Sequence, residues 1–170
     1  LVGFTARSEQ LDPEDVRGVL SPYHEFVRRE FESFGGVVEK FIGDAVVAVF
    51  GAPTAYGDDT ERAVRAALAI RDGVHELGEL DVQLRIAVNT GEALVSLGAR
   101  PELGEGMVAG DVVNTASRLQ SAAPVGGVIV GRETHSATRD AIAYEPAPAV
   151  QAKGKAEPVE AWLALHALHG

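Results

Sequence analysis

The sequence predicts an α+β fold rather than a doubly wound parallel sheet. Helix-period and strand-period segments follow one another in irregular order, and several strands are joined by short hairpin connections. The clearest hairpin signal is the pair of apolar, β-branched runs Val37 to Phe41 and Ala45 to Phe50, divided at Gly43-Asp44. A second signal is Val82 to Val88, followed by the turn residues Thr90-Gly91 and an apolar partner from Ala93 to Leu97.

The first helix opens at Asp12-Pro13-Glu14-Asp15, which supplies a capping aspartate, a proline at the first turn and acids near the positive end. Val16, Val19, Leu20, Tyr23, Val27, Phe31 and Phe34 continue it at helical spacing until Gly35-Gly36 stops the run. Pro22 is expected to kink or split this helix. Asp58-Asp59 opens a second helix, in which Ala63, Val64, Ala67, Leu68, Ile70 and Val74 repeat on one face. A third helix is predicted over Asp111 to Ser121, then a short strand from Gly127 to Val130. A helix over Glu133 to Ile142 and a final strand over Val159 to Leu165 complete the order.

The chain has 170 residues, 46% hydrophobic and 24% charged, which suits one soluble domain with a core of its own. We expect a single domain over residues 1–170. With no cysteine there is neither a disulfide framework nor thiolate chemistry. No apolar run approaches the length of a membrane span, so no membrane contact is expected from this segment. The formal net charge of -10 argues against a nucleic-acid binder, which needs a basic field, but leaves room for a mononucleotide carried with a divalent cation. Because the chain begins at Leu1 on a glycine-containing run, the expectation is a domain of a larger cytoplasmic protein, cut just before Leu1 and accompanied by regulatory domains.

The richest stretch is Gly110-Asp111-Val112-Val113-Asn114-Thr115-Ala116-Ser117-Arg118-Leu119. Asn114 and Arg118 stand four residues apart and share a helical face, with Val112, Val113, Ala116 and Leu119 available for the opposite side. An amide and a guanidinium held on one rigid helix suit a ribose and a developing phosphate charge. Taken alone, the other charged positions read as turn or surface residues: Asp44 as a turn aspartate, and Lys40, Arg85 and Lys153 as solvated cations. The five histidines, at 24, 75, 135, 166 and 169, share no evident face with a carboxylate partner. No Gly-x-x-x-x-Gly-Lys-Ser/Thr is present, so a P-loop enzyme is unsupported.

Taken together and in order, these motifs resemble the class III adenylyl and guanylyl cyclase homology domain, of bacterial type, over essentially the whole chain. Asn114 to Arg118 resembles its Asn-x-x-x-Arg helix. Leu1-Val2-Gly3-Phe4-Thr5 resembles its Asp-x-x-Gly-Phe-Thr turn without the leading aspartate, which is expected immediately before Leu1. Lys40-Phe41-Ile42-Gly43-Asp44 resembles its Lys-x-x-Gly-Asp hairpin, Leu84 to Gly91 its phosphate-contacting strand, and Lys153-Gly154-Lys155 its late phosphate clamp. Gly35-Gly36 followed by Val37-Val38-Glu39 departs from the related diguanylate cyclases, which have Asp-Glu-Phe there.

The resemblance implies a ferredoxin-like, polymerase-palm-type mixed sheet flanked by helices. It implies conversion of ATP to 3′,5′-cyclic AMP and pyrophosphate at a head-to-tail homodimer interface, with two magnesium or manganese ions per site. Asp44 and the main-chain carbonyl of Leu1 would be metal ligands, and the amides around Gly3, Phe4 and Thr5 a phosphate cradle. Asn114 and Arg118 would be the catalytic pair. Arg85 and Lys153, rather than Lys155, would hold the terminal phosphates. Lys40 would read adenine, because an ammonium donates to the adenine ring nitrogen and is repelled by the guanine N–H. Met107 occupies the position where adenylyl cyclases carry Asp or Thr; with Ala109 it leaves the purine pocket open to a relaxed choice between ATP and GTP. The alternative from another class is a non-catalytic nucleotide-binding or dimerisation module of the same fold.

Overall fold

The computed structural model describes residues 13–42, 45–52, 55–74, 83–96, 108–151 and 157–168; the side chains of 13–20 and 40–42 lie outside that description. Helix α1 spans Pro13–Ser33 as one element that contains Pro22, so the proline does not split it. It ends where predicted. Gly35, at φ +88°, lets the backbone turn left-handed, and the Gly35 and Gly36 amides close on the Glu32 and Phe31 carbonyls at 3.0 and 2.8 Å.

Strands β1 (Val37–Ile42) and β2 (Ala45–Val49) form the expected antiparallel hairpin, with Ile42 paired to Ala45. A bulge between Val38 and Lys40 inserts Glu39, whose side chain is buried (1% exposed).

Helix α2 (Asp59–Gly73) starts at the predicted aspartate pair. Arg62 fastens it to the end of α1: its Nη1 donates to the Phe34 carbonyl at 2.7 Å and its Nε to Asp58 at 3.0 Å, while its Nη2 pairs with Asp59. Asp59 in turn accepts the Tyr56 and Gly57 amides at 2.8 and 3.3 Å.

The main sheet has the order β3 (Ile86–Val88), β6 (Val128–Gly131), β8 (Val159–Ala167), β7 (Ile142–Val150). The β3–β6 pair is parallel, and β6–β8 and β8–β7 are antiparallel, so the sheet is mixed. A separate two-stranded piece joins β4 (Leu94–Val95) to β5 (Val108–Ala109).

Two of these findings correct the sequence expectation. The segment ending at Val88 does not pair with Ala93 to Leu97: β3 lies beside β6, and β4 beside β5. A parallel partner 42 residues away, as Ile86 is from Val128, leaves no local turn signal. The helix expected over Glu133 to Ile142 is shorter; α4 covers Arg132–Thr138, and Ile142 begins β7.

Side-chain alternation along the strands feeds two cores. Val128 and Val130 of β6 pack with Val64, Ala67 and Leu68 of α2 on one face. Ile129 points to the other face and packs with Leu119 of helix α3 (Asp111–Ala122) and with Ala123 just past its end. A third cluster, with Tyr23, Phe26 and Val27 of α1 against Ile70, Val74 and Leu84, joins the first helix to the sheet.

Between α4 and the strands runs a chain of hydroxyls. Thr90 and Thr134 meet at 2.7 Å, Thr138 donates to the Thr134 carbonyl at 2.7 Å, and Thr138 and Tyr144 hydroxyls meet at 2.6 Å. Burial of Thr134 and Thr138 makes these partners necessary rather than optional.

Candidate functional site

Helix α3 forms where the polar and apolar periods of its sequence coincide. Thr115 and Leu119, four residues apart, are buried at 6% and 0% exposure and fix the helix on the sheet. Asn114 and Arg118, one residue ahead of each, are therefore both turned to solvent on a neighbouring face. The inward face is narrower than expected: Val112, Val113 and Ala116 are only half-buried, and Thr115 sits where a purely apolar stripe was anticipated. Thr115 Oγ1 is buried without a hydrogen-bond partner among the described residues.

Arg118 stands on the edge of an open cleft of about 660 Å³ between the end of α3 and the sheet, lined also by Ser121, Ile129, Val150, Gln151 and Leu163. Among the described residues its guanidinium has no ion-pair partner. The cleft floor is mostly apolar, and the exposed Arg118 guanidinium stands in water at its rim. Gln151 is two residues before Lys153 in the sequence, and the Lys-Gly-Lys run lies outside the described residues.

Arg85 precedes β3, and its side chain is exposed. Its carbonyl accepts a long hydrogen bond, 3.4 Å, from Gln120 Nε2 of α3. No described contact links the Arg85 guanidinium to Asn114 or Arg118 within this chain. The backbone of Lys40 lies in β1 opposite Val47, but its side chain falls outside the described residues. Leu1, Gly3, Phe4, Thr5, Asp44, Met107, Lys153 and Lys155 also lie outside them. Met107 immediately precedes β5, whose Ala109 is exposed and pairs with Leu94.

Among the described residues no three His, Cys, Asp or Glu side chains gather as a metal site. The donor set expected for the metals, the Asp44 carboxylate, the Leu1 main-chain carbonyl and the aspartate expected just before Leu1, consists of hard oxygens of the kind that magnesium and manganese take.

Sequence reasoning passed over one residue beside this helix. Asn89, read there only as part of a strand-to-turn segment, donates from Nδ2 to the Val112 carbonyl in the first turn of α3 at 3.0 Å. Its signal in the sequence is faint: an amide just before the turn Thr90-Gly91, with its partner 23 residues onward.

Comparison with known proteins agrees with this architecture. A family model described as the adenylate and guanylate cyclase catalytic domain matches residues 1–165. Adenylate cyclase 1 of Rhizobium meliloti is 30% identical over 167 residues, covering 92% of this chain and 25% of that protein. The uncharacterized protein R02095 of the same organism is 30% identical over 97% of this chain, which spans only 16% of it. Two solved structures are similar at 30% identity: the adenylyl cyclase CyaB from P. aeruginosa, with TM-score 0.87 over 96% of this chain and 89% of that one, and the guanylyl cyclase Cya2, with TM-score 0.81 over 98% and 88%. A mixed sheet with flanking helices, an exposed Asn114–Arg118 pair and a match over nearly the whole length converge, and the chain belongs to the adenylate and guanylate cyclase catalytic domain family.

Proposed function

We propose that this chain is a single cyclase homology domain that converts ATP to 3′,5′-cyclic AMP and pyrophosphate, as a head-to-tail homodimer. The observation that carries the proposal is helix α3, which presents Asn114 and Arg118 together to solvent, with Arg118 at the rim of an open cleft. The ribose 3′-hydroxyl gives its proton to water and its oxygen attacks the α-phosphorus in line; the bond from that phosphorus to the bridging oxygen breaks, and pyrophosphate leaves. Asn114 orients the ribose, and Arg118 stabilises the charge that builds on the α-phosphate. Arg85 and Lys153 hold the terminal phosphates, and the amides of Gly3, Phe4 and Thr5 cradle them.

Asp44 and the Leu1 carbonyl are the proposed holders of magnesium or manganese, which when bound lowers the pKa of the 3′-hydroxyl and neutralises phosphate charge. In the dimer, the phosphate turn, Asp44 and Arg85 come from one protomer. Lys40, Met107, Asn114, Arg118 and Lys153 come from its partner, so each chain contributes to two sites. No helix among the described residues is long and apolar enough to cross a membrane, and a cytoplasmic location is part of the same proposal.

Base choice is the open point, because relatives named adenylyl and guanylyl cyclase stand at the same 30% identity. Lys40 favours adenine, whereas Met107 offers the adenine amino group a poor acceptor. The test is to incubate the purified domain, extended by the aspartate expected immediately before Leu1, with ATP and, separately, GTP in the presence of manganese, and to measure cyclic product by mass. Cyclic AMP that disappears in both Asp44→Ala and Arg118→Ala is the expected result. Comparable cyclic GMP would assign relaxed base choice, and no cyclic product from a folded dimer would favour a non-catalytic nucleotide-binding module.

A further inference from the structure

We propose that Asn89 is a positioning residue for the cyclase reaction: its side chain fixes the first turn of α3, and through it the placement of Asn114 and Arg118. The proposal rests on the catalytic role of α3 argued above.

The N-terminal turn of α3 has no side-chain cap: Gly110 occupies the capping position, and its carbonyl accepts the Val113 amide at 3.1 Å and the Asn114 amide at 3.5 Å. Asn89 adds a restraint from outside the helix, donating to the Val112 carbonyl at 3.0 Å. At the other end Gln120 Nε2 reaches back to the Arg85 carbonyl at 3.4 Å.

The two tethers match in length. Four strand residues from Arg85 to Asn89 span about 13 Å, and eight helical residues from Val112 to Gln120 rise about 12 Å. Helix α3 therefore lies antiparallel along β3, tied at both ends, with Asn114 and Arg118 between the ties. The shorter bond, at Asn89, is two residues from Asn114.

The neighbourhood of Asn89 is built to fit it. A Cβ placed on Gly131 would stand 2.4 Å from Asn89 Oδ1, closer than real Cβ contacts allow. Gly131 itself has φ -84° and ψ 179°, which any residue adopts, so a methyl group there is opposed by the Asn89 side chain, which it would have to displace, and not by the backbone. Just beyond, a Cβ on Gly91 would meet Val112 Cγ2 at 3.3 Å, so the turn after Asn89 runs close against the first turn of α3. Thr90 is pinned in turn by Thr134 at 2.7 Å. A side chain held this closely on one side transmits its position to the carbonyl on the other.

The experiment compares Asn89→Leu, which keeps the size of the side chain but removes the donor, with Gly131→Ala, which displaces an intact Asn89. Ile142→Val, in a core cluster without residues of α3, serves as the comparator for general loss of stability. Four quantities are read in the full chain at saturating protein concentration: kcat and KM for ATP, the melting temperature, and hydrogen exchange in residues 111–118.

Both test variants should lose roughly 10- to 100-fold in kcat with KM within about threefold, since a displaced catalytic group slows the chemical step far more than it weakens binding. The double variant should be little worse than either single one, because both act through the same contact. Exchange in 111–118 should quicken relative to Ile142→Val. A kcat within threefold of the parent, or a loss no greater than that of a comparator melting at the same temperature, would overturn the proposal. If the parent chain makes no cyclic product, the cyclase reading fails separately, and unchanged exchange in 111–118 on Asn89→Leu then overturns the tether as well.

Discussion

The imidazole of His135 lies flat on the indole of Trp162, ring centroids 4.0 Å apart and planes 1° from parallel. Tyr144 closes the other side edge-on at 5.0 Å. This aromatic stack joins α4 to β7 and β8 across the face that α2 also covers.

Burial lowers the His135 pKa below its ordinary value of 6.5, and the Arg139 guanidinium lowers it further. In the window just below pH 6.5 the unfolded chain therefore binds a proton that the folded chain refuses, so stability falls as the pH drops into that window. Above it, both forms are neutral and this contribution is flat. The melting temperature should be lower at pH 5.5 than at pH 7.5, and the difference should shrink in His135→Phe, which keeps a ring on Trp162 but does not titrate.

Asn114 and Arg118 are exposed, so their removal should separate activity from stability. Asn114→Ala and Arg118→Ala are each expected to lose about 10²- to 10³-fold in kcat, the usual consequence of deleting one transition-state donor. Unfolding free energy should stay within about 0.5 kcal/mol of the parent. Cyclic product by mass and a thermal melt on the same samples check both halves.

Leu119, fully buried beneath that pair, should behave in the opposite way. Leu119→Ala removes the side chain that packs α3 on Ile129 and should cost roughly 3 kcal/mol. The melting temperature should fall by about 10 °C. Retention of the parent melting curve would mean that α3 is not anchored through this residue.

A site shared between protomers predicts complementation. Asp44→Ala and Arg118→Ala should each be inactive alone, yet a mixed dimer carries one site with both residues intact. Random exchange at equal amounts should restore about a quarter of the parent activity, since half the dimers are mixed and each has one working site. Specific activity of the parent should also fall on dilution below the dimer affinity. Lack of recovery on mixing, with exchange of subunits verified by mass, would contradict the shared site.

The helices were legible because each has one apolar face, whose period survives without knowledge of its partner. Tyr23 and Val27 of α1, and Val64, Ala67 and Leu68 of α2, are buried as their spacing predicts. The β1–β2 hairpin was legible because its pairing is local. Strand β3 was assigned the wrong neighbour because its parallel partner β6 lies beyond an intervening hairpin and helix, and periodicity does not encode such a pairing. Strand β7 was missed because Pro146 and Pro148 mark a segment as non-strand; at the end of the order β3-β6-β8-β7, one side of the strand needs no donors. In the site, Asn114 and Arg118 share a helix and announce themselves by spacing. Asn89 does not, because its partner is a backbone carbonyl, which carries no letter in the sequence.

Those same prolines affect how the chain can meet other proteins. An outermost strand normally offers a row of amide hydrogens onto which a stray extended segment can zip. Pro146 and Pro148 of β7, the outer strand among the described residues, have no amide hydrogen to give, and the register shifts between Ala147 and Val150, so no regular row of donors runs along it. Strand-by-strand growth into a fibre is discouraged there, and a second copy is left to associate through side-chain surfaces, where geometry selects one arrangement over others.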